Sequence, residues 1–161
     1  MESRAKLFGH AIHQMLIPFP LGLLATSLVF DVVALITGNG NWHDIAYWMI
    51  VAGIISGLLA AIFGLIDYVA IPTGTRAKRV GALHGIGNVV VGVLFVVSWW
   101  LRRDAPTTPG TVALVASVLG VGLATVTGWL GGELVDRLGV GVDDGANLDA
   151  PSSLHGPVRA H

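Results

Sequence analysis

The amino-acid sequence predicts an all-α integral membrane protein whose four transmembrane helices form an up-down-up-down bundle with both termini in the cytoplasm. Four apolar segments are each longer than the ~20 residues that a helix needs to cross a bilayer. Hydrophobic residues make up 53% of the 161 residues and charged residues only 12%, about half of the roughly 25% found in a soluble domain. The chain has 22 glycines, and small residues of this kind allow membrane helices to pack closely.

The same composition excludes several classes of protein. So few charged side chains cannot cover the surface of a soluble enzyme, and so many apolar ones exclude a disordered chain. A net charge of −1 attracts no polyanion, so we expect no nucleic-acid partner. Because the chain has no cysteine, we expect no disulfide, thiolate metal site, iron–sulfur cluster or covalent c-type haem attachment.

The four predicted spans follow one another with short loops between them. Short loops make consecutive helices antiparallel neighbours. Pro18 and Pro20 remove backbone donors from the first span, so its helix can start late, near Pro20, with residues 10–19 as a short interfacial or re-entrant piece. The spans cover residues 15–37, 45–71, 80–101 and 111–134.

The chain divides into a transmembrane domain and a polar tail. Residues 1–138 form the four-helix domain, and residues 139–161, rich in Gly, Asp, Pro and Ser, form a tail that we expect to be flexible or weakly docked. The second loop is basic, whereas the third loop, taken to start at Arg102, carries only two arginines. The positive-inside rule therefore places both termini and the second loop in the cytoplasm.

Polar side chains from all four spans converge on the cytoplasmic leaflet. Ionisable side chains inside a span cost free energy because they leave water, and they are usually functional. This convergence from distant parts of the chain is the strongest signal of a site. Asp31, in the other half of the first span, is expected to be hydrogen-bonded within the bundle. His43, His155 and His161, in a loop and the tail, receive no role. The converging residues are His10, His13, Asp67, His84, Asn88, Trp129 and Glu133.

One hypothesis for these residues is a b-type haem. It needs two facing imidazoles with glycine nearby, and His13 and His84 enter the bundle at a similar depth, with His10 as the substitute ligand. Asn88 contributes to cofactor binding. Three further side chains are expected to contact the ligating imidazoles and orient them without touching the haem: those of Asp67, Glu133 and Trp129.

Three other hypotheses stay open. His13 and His84, with His10 and nearby carboxylates, also suit a metal ion such as Zn, Fe or Cu. Titratable groups at this leaflet suit a proton relay or transport. In a purely structural role, Asp67 pairs with Arg76 or Lys78, Glu133 pairs with Arg137, and the protein is an accessory subunit.

Small residues recur at four-residue intervals in the second and fourth spans. Such ridges allow close helix packing within the bundle, form a homodimer face, or leave clearance for a flat prosthetic group. They comprise Gly53, Gly57 and Ala61, and then Ala116, Gly120, Ala124, Gly128 and Gly132.

Three stretches of sequence resemble the bacterial integral membrane family catalogued as domain of unknown function 2231. They begin with GHAIHQMLIPFP at residue 9, continue through FGLIDYVAIPTGTRAKRVGALHG, and end with GWLGGELVDR from residue 128. The family commonly has proline after each of the paired histidines, whereas Ala11 and Gln14 stand there in this chain.

The resemblance implies a small four-helix protein of the bacterial cytoplasmic membrane. Some relatives are fused to, or neighbours of, Rieske-type and cytochrome-type modules, which implies redox function and maps the family's histidines onto His10, His13 and His84. We therefore expect an electron-transfer subunit that binds haem b and passes electrons to or from a partner protein. The alternatives are a non-redox accessory subunit of a larger membrane complex, with homo-oligomerisation open, and a metal-binding membrane protein.

Overall fold

A computed structural model describes residues 1–155, and the tail predicted for 139–161 therefore lies partly, at 156–161, outside the described residues. Four helical segments are long and apolar enough to cross a membrane, which confirms the predicted all-α membrane fold. The first is formed by α1 and α2, which Ile17 joins. The helices are α1 (Ile12–Leu16), α2 (Pro18–Thr37), α3 (Asn41–Ala70), α4 (Arg76–Arg102) and α5 (Thr111–Gly132).

The first span starts earlier than the late start predicted near Pro20. The backbone N–H of Ile17 donates to His13 O at 3.1 Å, and that of Leu21 donates to Ile17 O at 3.2 Å, so hydrogen bonding continues from α1 into α2. Pro18 occupies the first turn of α2, where a missing donor costs little. His13 consequently lies inside the first span rather than in a separate re-entrant piece.

Local sequence accounts for the other helix ends. Gly38 follows α2 with φ 67°, a left-handed conformation that glycine adopts without strain. The Thr75 hydroxyl accepts from the N–H of Lys78 at 3.1 Å and caps α4. A π-helical turn, Glu133–Arg137, follows α5.

Arg102 corrects the predicted third loop. It was assigned to the loop, but it is the last residue of α4 and its side chain is fully buried. Its partner in the fold is the carboxylate of Asp31 in α2. A sequence scan ends a span at the first charge, whereas the helix continues because that charge is paired inside the bundle.

The helices pack as two pairs. We call α2 and α3, together with α1, the first pair, and α4 and α5 the second pair; contacts within a pair are much more extensive than contacts between pairs. A core of Leu24, Ile50, Val91 and Phe95 joins them. Gly53 and Gly120 of the small-residue ridges face inward, because a side chain at Gly53 would collide with Leu24, and one at Gly120 with Phe95. Ala61 and Gly128 of the same ridges are exposed.

Two polar clusters lie at opposite ends of the bundle. At the histidine end, His13 contacts α3 at Ala60 and lies beside His84. At the ion-pair end, Asp31 contacts His43 and Arg102. The first span, α3 and α4 therefore each contribute to both ends.

The N-terminal segment covers the histidine end. Strands β1 (Lys6–Leu7) and β2 (His10–Ala11) form a short antiparallel hairpin. Part of the tail docks against this segment, because the N–H of Gly141 donates to Met1 O at 2.9 Å and Lys6 pairs with Asp143.

Candidate functional site

The structure brings His13 and His84 together at the histidine end. Their imidazole ring centres are 6.4 Å apart, and the two ring planes are nearly perpendicular, at 89°. His13 belongs to the first helix pair and His84 to the second. The two rings therefore meet at the boundary between the pairs, where contacts between helices are less extensive.

Each imidazole is held by the partner helix of its own pair. His13 Nδ1 lies 2.8 Å from Ala60 O, and His84 Nδ1 lies 2.8 Å from Thr127 O. Because a carbonyl oxygen can only accept, each Nδ1 carries a proton, and a ring protonated only there has its lone pair on Nε2. This is the arrangement in which a backbone carbonyl orients a metal-ligating histidine.

Glycine makes room for both rings. A methyl group at Gly64 would lie 2.7 Å from His13 Cε1, and one at Gly131 would lie 3.1 Å from His84 Cε1. Any larger residue at Gly64 would displace His13, and one at Gly131 would press on His84. The two glycines therefore help to determine where the imidazoles stand.

Asn88 lies one helical turn from His84 and contacts it directly. Its amide Nδ2 is 3.1 Å from His84 Nε2 and 2.9 Å from His84 O. Its Oδ1 accepts from the Thr127 hydroxyl at 3.0 Å. Asn88 and Thr127 thus orient the His84 ring. The role in cofactor binding expected of Asn88 stays a prediction.

His10 and Asp67 are engaged elsewhere at the same end. His10 is exposed and its Nε2 lies 3.3 Å from the Ser153 hydroxyl. The Asp67 carboxylate accepts from the Ser3 hydroxyl at 2.8 Å and from the N–H of Arg4 at 2.8 Å. Asp67 therefore fixes the N-terminal segment, and the suggested ion pairs with Arg76 or Lys78 are not formed.

Glu133 and Trp129 also lie apart from the imidazoles. Glu133 accepts from Arg76 at 2.6 Å instead of pairing with Arg137, because Arg76 begins the adjacent helix α4. Trp129 is 66% exposed. Neither residue has a hydrogen bond to His13 or His84 in the part of the chain that the structure describes.

The donor set at this end consists of two imidazoles. Within residues 1–155, no three His, Asp or Glu side chains gather closely enough to hold a metal ion by themselves. Two imidazoles, each held at Nδ1 by a backbone carbonyl, suit a metal whose remaining ligands come from a prosthetic group, as haem iron does.

A second polar cluster, at the ion-pair end, was not recognised as one from the sequence. Asp31 accepts from Arg102 Nη1 at 3.0 Å and Nη2 at 3.2 Å, and lies 2.7 Å from His43 Nδ1. The Ser98 and Ser117 hydroxyls complete the contacts of the guanidinium. Asp31 is hydrogen-bonded within the bundle, as predicted, but His43 had received no role and Arg102 had been placed in a loop.

An internal repeat is the sequence signal that links both clusters. Ala11 and four residues of the first span have counterparts in α4 at one constant separation along the chain. Both histidines follow the motif Ala-x-His, both serines are fully buried, and both serines stand four residues before the charge. The matched residues are Ala11 and Ala82, His13 and His84, Leu24 and Phe95, Ser27 and Ser98, and Asp31 and Arg102.

The second helix of each pair repeats in the same way. Gly53 packs on Leu24 as Gly120 packs on Phe95, and Gly64 adjoins His13 as Gly131 adjoins His84. The carbonyl acceptors of the two histidines, at Ala60 and Thr127, have the same separation as these glycines. The two helix pairs are therefore quasi-equivalent, and each presents one imidazole to the other.

Comparison with known proteins agrees with this description of the fold. The family described as "Predicted membrane protein (DUF2231)" matches residues 9–144, a range that includes all four spans and both polar clusters. No curated protein matches the chain, and no solved structure does. Since the match covers most of the sequence, the chain is a multi-pass membrane protein that belongs to the DUF2231 family.

Proposed function

We propose that this protein is an electron-transfer subunit of the bacterial cytoplasmic membrane that holds one b-type haem between His13 and His84, with a redox protein as its partner. The observation that carries the proposal is the meeting of two imidazoles from quasi-equivalent helix pairs. The basic second loop supports a cytoplasmic location for the termini and the histidine end.

His13 and His84 would hold the haem iron together. Their ring centres are 6.4 Å apart, and a histidine nitrogen binds a metal at ~2.0–2.1 Å. The fixed Nδ1 protons leave the Nε2 atoms of both rings to serve as ligands.

The amide of Asn88 must move away from His84 Nε2 before that nitrogen can bind the iron. Its amide now lies beside His84 Nε2, but it also donates to His84 O and accepts from Thr127. It can therefore leave the ring nitrogen while two hydrogen bonds keep it in place.

When bound, the haem supplies one-electron redox chemistry. The chain's own residues hold the imidazoles in the Nδ1–H tautomer and shield them within the boundary between the helix pairs. The carbonyls of Ala60 and Thr127 accept hydrogen bonds from the Nδ1–H groups and so orient the nitrogens that would ligate.

Absorption spectroscopy of the detergent-purified protein from haem-replete cells tests this proposal. We expect a Soret band, with sharp α and β bands after dithionite reduction, and their loss in His13→Ala and in His84→Ala. His10→Ala is the matched control, because His10 is exposed at the same end and is expected to leave the spectrum unchanged. Spectral loss in His10→Ala alone would instead identify His10 as the ligand.

A rescue experiment separates lost ligation from lost folding. His84→Gly leaves a cavity, and added imidazole should restore the reduced bands if the fold is intact. A colourless preparation of the unaltered protein, with no metal by elemental analysis, would overturn the proposal.

A further inference from the structure

The tip of the N-terminal hairpin combines backbone strain with an exposed aromatic side chain. Phe8 and Gly9 have φ values of 50° and 84°, so both central residues of the turn are left-handed. Asparagine, aspartate and glycine suit such a turn, whereas a bulky side chain is strained there. Yet Phe8 is 73% exposed and the preceding Leu7 is 46% exposed, so neither gains much packing within the chain.

The hairpin that carries this tip is firmly held. The N–H of Ile12 donates to Ala5 O at 2.9 Å at the hairpin base. The Ser3 hydroxyl and the N–H of Arg4 both donate to the buried Asp67 carboxylate, and Lys6 pairs with Asp143. The position of the hairpin on the bundle is therefore fixed by these contacts.

The tip adjoins the lipid-facing surface of the first span. Gly9 and Met15 line one surface groove together with His10, Gln14 and Asp143. Met15 and then Phe19 are 47% and 59% exposed along that span, so both the transmembrane helix and the neighbouring hairpin tip carry exposed apolar side chains. Arg4, in the segment before the hairpin, is exposed and forms no ion pair within residues 1–155.

We infer that Leu7 and Phe8 insert into the lipid at the boundary between headgroups and acyl chains, and so fasten the hairpin to the membrane. Aromatic and leucine side chains bind at this depth, and an exposed arginine beside them suits anionic headgroups. Burial of Phe8 in lipid accounts for a bulky residue in a strained turn. The inference does not depend on haem binding.

Depth-dependent fluorescence quenching tests the insertion. Because the chain has no cysteine, Phe8→Cys can carry a single environment-sensitive fluorophore in vesicles of phosphatidylcholine and phosphatidylglycerol. We expect blue-shifted emission and at least twofold stronger quenching by lipids with a nitroxide near the headgroup than by lipids with one near the chain end. Leu148→Cys, fully exposed in the tail, is the control and should show aqueous emission.

A label at a second position controls for the loss of the Phe8 side chain in Phe8→Cys. Leu7→Cys keeps Phe8 in place and should show the same depth profile, and adding Phe8→Asn, which relieves the strain, should reduce its quenching severalfold. Aqueous emission at both positions in vesicles would overturn the inference and indicate that the tip faces water or a protein.

Discussion

At the residue scale, single glycines decide where the two imidazoles stand. Gly64 lies so close to His13 that a methyl group would meet the ring at 2.7 Å. Gly57, two turns earlier in the same helix, would place its methyl group at an ordinary contact distance, 3.6 Å from Pro20. The two positions have the same helical backbone but differ in what surrounds them.

Gly64→Ala should therefore destabilise the protein, whereas Gly57→Ala should not. Overpacking at Gly64 costs about 1–3 kcal/mol, and alanine at Gly57 gains up to ~1 kcal/mol of helix propensity. Unfolding by sodium dodecyl sulfate in mixed micelles, followed by tryptophan fluorescence, measures both changes. Equal effects of the two substitutions would show that His13 does not depend on the space at Gly64.

Individual residues also show how far the sequence could be interpreted. The proximity of His13 and His84 followed from their equal depth in two spans. The hydrogen bonds of Asp67 and Glu133 could not be predicted in the same way, because their partners depend on the path of the N-terminal segment and on the packing of α4. His43 was passed over because α3 starts earlier than its apolar run.

At the scale of the elements, a buried ion pair joins the first span to α4. Asp31 and Arg102 are almost completely buried, at 1% and 0% exposure, and their contacts link the two helix pairs. Arg102 Nε is buried without a hydrogen-bond partner within residues 1–155, so the guanidinium relies on Asp31, Ser98 and Ser117. Removing one partner leaves the other charge uncompensated inside the bundle.

A double-mutant cycle should reveal this coupling. Asp31→Asn should cost about 3–5 kcal/mol because Arg102 loses its counter-charge in a buried site. Asp31→Asn combined with Arg102→Met should cost less than the sum of the two single substitutions by about 1–3 kcal/mol. Chemical unfolding in detergent micelles provides these free energies.

Arg103→Ala is the control for that cycle. Arg103 is adjacent to Arg102, but its side chain is 41% exposed and stacks on Trp100. Its loss should stay within ~0.5 kcal/mol. Additive costs for Asp31 and Arg102 would contradict a direct interaction between them.

At the scale of the whole molecule, the two ends of the described chain meet over the histidine end. Lys6 donates to Asp143 in the tail and to Glu2, 2.7 Å away. The hydrogen bond from Lys6 lowers the pKa of Glu2, and the hydrogen bonds to Asp143 and Glu2 raise the pKa of Lys6. Both shifts favour the charged, docked state.

Docking of the tail should therefore be constant near neutral pH and weaken at both extremes. The Glu2 contribution is present above its ordinary pKa of 4.5 and is lost as pH falls through its lowered pKa. The Lys6 contribution is present below its ordinary pKa of 10.5 and is lost as pH rises through its raised pKa. The mobility of a nitroxide at Ala146→Cys, measured by electron paramagnetic resonance, reports the docking.

Lys6→Met supplies the comparison for this pH profile. The nitroxide should be mobile at every pH when the ammonium is absent. An unchanged, immobile spectrum in Lys6→Met would mean that backbone contacts alone hold the tail.

The repeat also bears on which helix pairs can pack together. If two copies of the first pair associated through this surface, Asp31 would face Asp31; two copies of the second would set Arg102 against Arg102. Like charges in a buried site oppose such assemblies. Opposite charges at the matched positions therefore favour contact between the two different helix pairs of one molecule. They disfavour contact between two copies of the same pair, which would otherwise be able to repeat from molecule to molecule.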